Sequence, residues 1–291
     1  MTPEQIRREF LIRVRNYDTE IADALLELQR DIERAAKTYP NDPDAFTTAV
    51  SLLIVGFYTA FTAMSVNVTR DVALAYGNYV DKTIVTVLEK AGATNTAKAI
   101  HDKALKFPTL ATNRLKSRKN PYDGKTFDNR IVTLKRASDQ MVQKLVARGI
   151  KDGKSINDIA RSIENYIDPT SQLGKRYTRG NGVNYKAVPL DRRLPKAAIR
   201  YNAVRIARSE VMQTYQQSTG EFYDGQPFNR GFRWVLSNSH RGKDICDINA
   251  ARTYKTYADI PKRHPQCMCD IQPIPISLDD LRRLVSSGAI D

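Results

Sequence analysis

Cysteine and histidine are scarce in this chain, with three of each among 291 residues, and tryptophan occurs once. Neither C-x-x-C nor H-E-x-x-H occurs, which removes the regular zinc fingers and the helical metalloprotease site. A phosphate-cradling Walker loop, the dinucleotide glycine pattern and a paired-carboxylate site are also missing, so the common nucleotide-dependent and carboxylate-pair enzymes lose support. No secretory signal opens the sequence, and a reducing compartment is therefore the expectation. The apolar run LLIVGFYTAFTAM, residues 52–64, has thirteen residues and is followed by Asn67, Arg70 and Asp71. That is too short to cross a bilayer, so it predicts a buried core helix and no membrane contact.

The scarce residues are not scattered. All three cysteines (Cys246, Cys267, Cys269) and two of the three histidines (His240, His264) fall within residues 234–274. His264-Pro265-Gln266-Cys267-Met268-Cys269 packs three metal donors into six residues, with His240 and Cys246 about twenty residues upstream. Thiolate sulfur and imidazole nitrogen in Cys2His2 or Cys3His sets suit tetrahedral zinc, and donors from two segments tie together a module too small to hold itself. The same residues also fit buried free thiols and hydrogen-bonded histidines, or a disulfide from Cys246 to one of the pair. The stretch CMCDIQPI reads as a strand, on which Cys267 and Cys269 point to opposite faces. Both reach one ion only if the backbone bends, and Pro265 offers a reason for a bend.

An aromatic strand with Trp234, then Ser237 to His240, then Asp244-Ile245-Cys246-Asp247, then His-Pro-x-Cys-x-Cys leading into a strand, resembles the C-terminal domain of the phage Mu F-like minor head proteins, also called head morphogenesis proteins. The helix Arg205-Ile206-Ala207-Arg208-Ser209-Glu210-Val211-Met212-Gln213-Thr214-Tyr215 is similar to the one preceding the Trp strand there. The resemblance spans residues 202–274, about a quarter of the chain. Met268 stands where that family often has arginine, and Asn249 where some members carry a second cysteine. The resemblance implies a minor virion component inside the head at the portal vertex, made in the host cytoplasm. It would contact the portal protein, with the major capsid protein or scaffold as further partners, and assist assembly, packaging or ejection of DNA.

The net charge of +14 is unevenly placed. Residues 1–105 hold 12 Lys and Arg against 14 Asp and Glu, residues 106–205 hold 23 against 8, and residues 206–291 hold 11 against 10. A middle third at +15 repels itself unless an anion such as a polyphosphate lies nearby. Two irregular stretches concentrate it. The first, residues 106–128, carries Pro108, Pro121 and Gly124 with Arg114, Lys116, Arg118 and Lys119, and reads as a linker or exposed arm. The second, residues 174–195, interleaves Tyr177 and Tyr185 with Lys175, Arg176, Arg179 and Lys186. That is the composition of a segment that tracks phosphates and stacks on bases, so these eight cations are the expected sites of sequence-independent binding to double-stranded DNA.

The helices are legible from spacing. Phe10, Val14, Tyr17, Ile21, Leu25, Leu28, Ile32 and Ala35 step by three and four along one stripe. Asp42-Pro43 opens a second helix that runs through Tyr76, Val80, Ile84, Val87 and Leu88 towards Gly92, and a short third helix from Asn95 ends near Phe107-Pro108. Ser155 caps a helix ending near Asp168, a long helix follows Pro195, and Ser277 caps a last short one. The expectation is a predominantly α-helical α+β protein. It divides into an N-terminal helical bundle or docking domain (1–105), a basic helical region with extended arms (106–200) and a small α+β domain with a Cys/His knuckle (201–291). A structural and DNA-handling role fits better than an enzyme. The alternative, a zinc-dependent nuclease or nucleic-acid-modifying enzyme, requires an activated water beside the metal and a base such as Asp244, Asp247 or Asp270.

Overall fold

The computed structural model describes residues 3–121, 123–168, 198–237, 240, 243–264 and 267–291. In order these form α1 (Pro3–Thr38), α2 (Pro43–Val80), a π-helical turn (Asp81–Val85), α3 (Thr86–Lys90), α4 (Thr94–Ser117), α5 (Phe127–Lys151), α6 (Ile156–Ile167), α7 (Ile199–Tyr223), β1 (Asn229–Val235), α8 (Ile245–Ala250), β2 (Thr253–Tyr254), a 3-10 turn (Tyr257–Asp259), β3 (Asp270–Pro275) and α9 (Leu278–Ser286). The fold is predominantly helical α+β, with one three-stranded antiparallel sheet among the described residues. Contacts gather the chain into two interleaved units rather than three consecutive segments. One comprises residues 15–65 and 125–207, the other residues 1–14, 66–124 and 208–291.

The first of these units is a helical core. Val14 lies just before it, and Tyr17, Ile21, Leu25, Leu28, Ile32 and Ala35 of α1 are all buried, so the stripe read from the sequence is the face that packs. From α2 come Phe46, Val50, Ile54, Phe57, Tyr58 and Phe61, with Tyr17 and Phe61 stacked at 6.3 Å between ring centroids. Val142 and Val146 of α5 and Ile156, Ile159, Ile163 and Ile167 of α6 complete it. Polar side chains within the core are paired across helices: Tyr58 Oη meets Ser138 Oγ at 2.8 Å, and Ser51 Oγ donates to Asp139 at 2.5 Å. Ser155 caps α6 by accepting from Asp158 N, as its position predicts.

The core helix expected over residues 52–64 buries Ile54, Phe57, Tyr58 and Phe61 but not its whole circumference. Leu52 is 67% exposed and Val55 38%, so one apolar side of α2 is open. A run of thirteen also understates the element, because the continuous helix Pro43–Lys90 is long and apolar enough, by length and composition, to cross a bilayer. A third of its most apolar window is buried inside the fold.

Glu164 is a buried carboxyl in this core, 3% exposed, and its carbonyl accepts from Gln29 Nε2 at 3.0 Å. Burial, with the charge of Glu33 second, pushes its pKa up from 4.5 to about 7. The folded chain therefore holds a proton between pH 5 and 7 that the unfolded chain has released, and stability falls as pH rises through that window. Glu164→Gln is expected to flatten this dependence and to raise stability at pH 8 by about 1–2 kcal/mol. Urea melts across pH would reveal it; an unchanged pH profile would show that Glu164 does not titrate there.

The second unit holds an aromatic cluster and the sheet. Tyr76 packs against Phe107 at 5.2 Å, Tyr215 at 5.5 Å and Tyr223 at 6.4 Å, and Phe222 and Phe228 extend the cluster. A chamber of about 30 Å³, room for one water, is lined by Tyr76, Tyr79, Tyr215, Tyr223, Thr219 and Asp270 among others. The sheet order is β2-β1-β3, with Phe232 opposite Tyr254 and Trp234 opposite Ile271. Gly231 has φ of +129°, and a Cβ there would stand 2.3 Å from the Tyr254 carbonyl oxygen, so the chain passes only as glycine. Ser277 caps α9 through Asp280 N, as expected.

Two sequence expectations fail in this unit. The third helix does not stop at Pro108: α4 continues to Ser117 with Pro108 inside it. Ala97, Ile100, Ala104, Phe107, Ala111 and Leu115 are buried at unbroken helical spacing, and that packing outweighs the lost hydrogen bond. The carbonyl freed by the proline, that of Ala104, is the one Gly77 approaches so closely that a Cβ would lie 2.7 Å from its oxygen. Residues 106–117 are therefore helix rather than an arm. The second arm, with Lys175, Arg176, Arg179 and Lys186, lies outside the described residues.

Candidate metal centre

The centre is built by four short pieces around the sheet. Asp244 caps α8 by accepting from Cys246 N at 2.7 Å, and Asp247 reciprocates by accepting from Asp244 N at 2.8 Å. This capping box fixes a helix of only six residues and turns Cys246 fully inward. The strand expected at CMCDIQPI begins only at Asp270, so Cys267 and Cys269 precede the ladder. Cys267 N instead donates to the His264 carbonyl at 3.3 Å, a bend that frees both cysteines from strand alternation. Both are buried and both face Cys246.

The Cys269 carbonyl is held from two sides, by Gln216 Nε2 of α7 at 3.0 Å and by the Arg263 guanidinium. Arg263 also lies over the Trp234 ring at 5.9 Å. Ser237 N donates to Cys269 Sγ at 3.5 Å, and His240 N donates back to the Ser237 carbonyl at 2.8 Å. In this way the Trp strand, its following turn and α7 position one sulfur.

Two triads of donors share Cys246. One is Cys246, His264 and Cys267, with Sγ–Nε2 at 3.2 Å and Sγ–Sγ at 3.4 Å. The other is His240, Cys246 and Cys269, with His240 Nδ1 at 3.9 Å from Cys269 Sγ. Tetrahedral bonds of about 2.3 Å to sulfur and 2.05 Å to nitrogen place donors roughly 3.4–3.8 Å apart, which these spacings straddle. The three cysteines are free thiols in this structure. Their protons are strongly linked. Hydrogen bonding from Cys269, with His264 and Arg263 assisting, draws the Cys267 thiol well below its ordinary range. Burial pushes Cys246 up, and the bond to Cys267, then burial, pushes Cys269 up. A cation among three buried sulfurs removes that conflict, because it stabilises every thiolate at once.

All five donors named from the sequence are thus brought together. Asp244 and Asp247, expected only as motif residues and candidate bases, form the capping box that presents Cys246, and the supporting contacts of Gln216 and Arg263 have no local signal in the sequence. Asp270, a candidate base, is 2% exposed, accepts from Ile271 N at 2.8 Å and borders the tyrosine chamber. Asp247 accepts from Asp244 N at 2.8 Å and meets His240 Nε2 at 3.0 Å, and the first of these above all holds its pKa below the usual carboxylate range.

The expected DNA contacts divide. Arg114 pairs with Glu221 and donates to Ser218 at 3.2 Å, and Arg118 pairs with Glu210 and donates to Gln213 at 2.5 Å. These two arginines are committed inside the fold, and Glu210 of α7 accepts from both Arg118 and Asn120. Lys116 and Lys119 are exposed. So are Arg136, Lys144 and Lys151 on α5, which the irregular arms did not include because they sit inside a regular helical pattern, and Lys154 in the turn after it. Compared with protein-family models, with curated proteins and with solved structures, the chain finds no match.

Proposed function

We propose that this chain is a zinc-stapled structural protein of the minor head protein type, acting inside a phage head at the portal vertex and contacting packaged DNA. The observation that carries the reading is the convergence of Cys267, Cys269, His240 and His264 on Cys246 in the stretch that resembles that family. Cys246, Cys267, Cys269 and one imidazole would hold zinc, which supplies a fixed four-way link between α8, the turn after β1 and the segment entering β3. The role is structural because a nuclease needs a base free beside the metal. Of the three candidate bases, Asp244 accepts from Cys246 N as the cap of α8, Asp247 is engaged with His240 and Asp244 N, and Asp270 borders the tyrosine chamber.

The helical body supplies docking surface to the portal, and the basic middle faces DNA through exposed lysines and arginines rather than through Arg114 and Arg118. A particle reconstruction is expected to place this chain on the portal vertex at low copy number; density distributed over the shell, or none, would refute the placement. Binding to random duplex DNA should weaken with salt at about 0.9 log units per phosphate neutralised. Replacing Lys116 and Lys119 by alanine should lower that slope by roughly two, with no effect of DNA sequence. A slope unchanged by the double replacement would move the DNA contact elsewhere.

A further inference from the structure

We infer that the outer face of α5 is the surface that lies along the phosphate backbone of duplex DNA, with Arg136, Lys144 and Lys151 as the cations that meet phosphate. The inference rests on the DNA reading above and gives the contact a place. At 3.6 residues per turn, Asn129, Arg136, Gln140, Lys144, Ala147 and Lys151 fall within roughly a quarter of the helix circumference. All six are exposed. The opposite side buries Ile131, Ser138, Val142, Val146 and Gly149, so the core fixes which face the cations share. With a rise of about 1.5 Å per residue, Arg136 and Lys151 stand roughly 22 Å apart along the axis with Lys144 between them.

Charge pairing sets this face apart from those of α1, α6 and α9. There exposed cations have carboxylates one turn away: Arg34 with Asp31, Lys37 with Glu33, Arg161 with Asp158 and Arg282 with Asp279. Among the described residues no carboxylate pairs with Arg136, Lys144 or Lys151, and only Arg148 beside them has one, Asp152 at 3.7 Å. Asp139, three residues after Arg136, instead accepts from Ser51 Oγ and from Gln143 Nε2 at 3.0 Å. Lys144, Arg148 and Lys151 are spaced i, i+4 and i+7, where like charges oppose the helix. The helix dipole accounts for Arg148 and Lys151 in the last turn, but it fades within a turn and leaves Lys144 and Arg136 unexplained. A row of phosphates neutralises the whole stripe. The centre of the face holds Gln140 and Ala147, with Val132 and Ile150 to one edge, so it lacks the large apolar or aromatic anchor on which a protein interface is centred. It also has no aromatic ring to stack bases, which favours duplex over single strand.

Binding of the full chain to random-sequence duplex, followed against salt, tests the inference. Arg136→Gln, Lys144→Gln and Lys151→Gln together keep good helix formers in α5, and urea melts check the fold. The salt slope is expected to fall by about 2.7, from three contacts at about 0.9 each. Removing the same charge from exposed positions of α1, by Arg13→Gln, Arg15→Gln and Arg30→Gln, should lower it by less than about one. In the unaltered chain, saturating duplex should shield Lys144 and Lys151 from acetylation, read by mass spectrometry. A slope that falls no further than in the α1 variant, or acetylation of both lysines unchanged by duplex, overturns the inference while leaving DNA binding standing. Shielding by polyglutamate and not by duplex also overturns it, and gives the face to an acidic protein. An unaltered chain that binds no duplex at low salt overturns both the inference and the DNA reading.

Discussion

Cys246→Ser is expected to abolish metal binding and to loosen the C-terminal module, while the helices of residues 15–65 and 125–168 keep their protection. Cys246 is the one donor common to both sulfur-containing triads, so its loss leaves only His240, Asp244 and Asp247 as a three-donor set among the described residues, without a thiolate. Structural zinc contributes folding free energy outright, on the order of 10 kcal/mol in isolated small modules, and in a larger chain part of that is returned by the surrounding packing. Here the packing near the centre is thin: α8 has six residues, β2 has two, and β3 has six. Hydrogen exchange should therefore show the change confined to residues 229–276. Removing zinc with a chelator should reproduce it in the unaltered chain. Equal loss of protection in α1 and α6 would mean that the metal supports the whole chain rather than a local module.

Arg118→Ala is expected to cost about 3–5 kcal/mol, because it leaves the Glu210 carboxylate, 1% exposed, without its cationic partner. Asn120 still donates to Glu210 at 2.8 Å, but a neutral amide does not offset a buried charge. The double change Arg118→Met with Glu210→Gln removes both charges and keeps an acceptor for Asn120. It should recover most of the loss and lie within about 2 kcal/mol of the parent. Thermal or urea melts of the three proteins decide it. If Arg118→Ala alone is nearly neutral, the pair is solvated, and Arg118 returns as a candidate DNA contact.

The periodic elements could be read from the sequence and the non-local ones could not. The stripe from Val14 to Ala35 was visible because a single helix face repeats every three to four residues, and the structure buries that face. Pro108 misled because a proline is a strong local stop, yet Phe107, Ala111 and Leu115 bury a face whose partners lie in residues 66–124 and 208–291, far apart in sequence. The same distance hid Glu210 and Glu221, which neutralise Arg118 and Arg114 across about a hundred residues and remove them from the basic surface. The two-unit division has that origin too, since α1, α2 and α7 each contribute to both units.

At the metal centre the donor types and their grouping were legible, because five scarce residues within forty positions need no fold to be noticed. Their arrangement was not. Strand alternation was read one turn too early, and the Cys267 N–His264 O bond that prevents it depends on the closed loop.

Elemental analysis of the full chain, purified without chelator, tests the central claim most directly. One zinc per chain is expected, lost when the thiols are blocked and absent from Cys246→Ser. A metal content near zero, in protein that is folded and has three titratable free thiols, would contradict it.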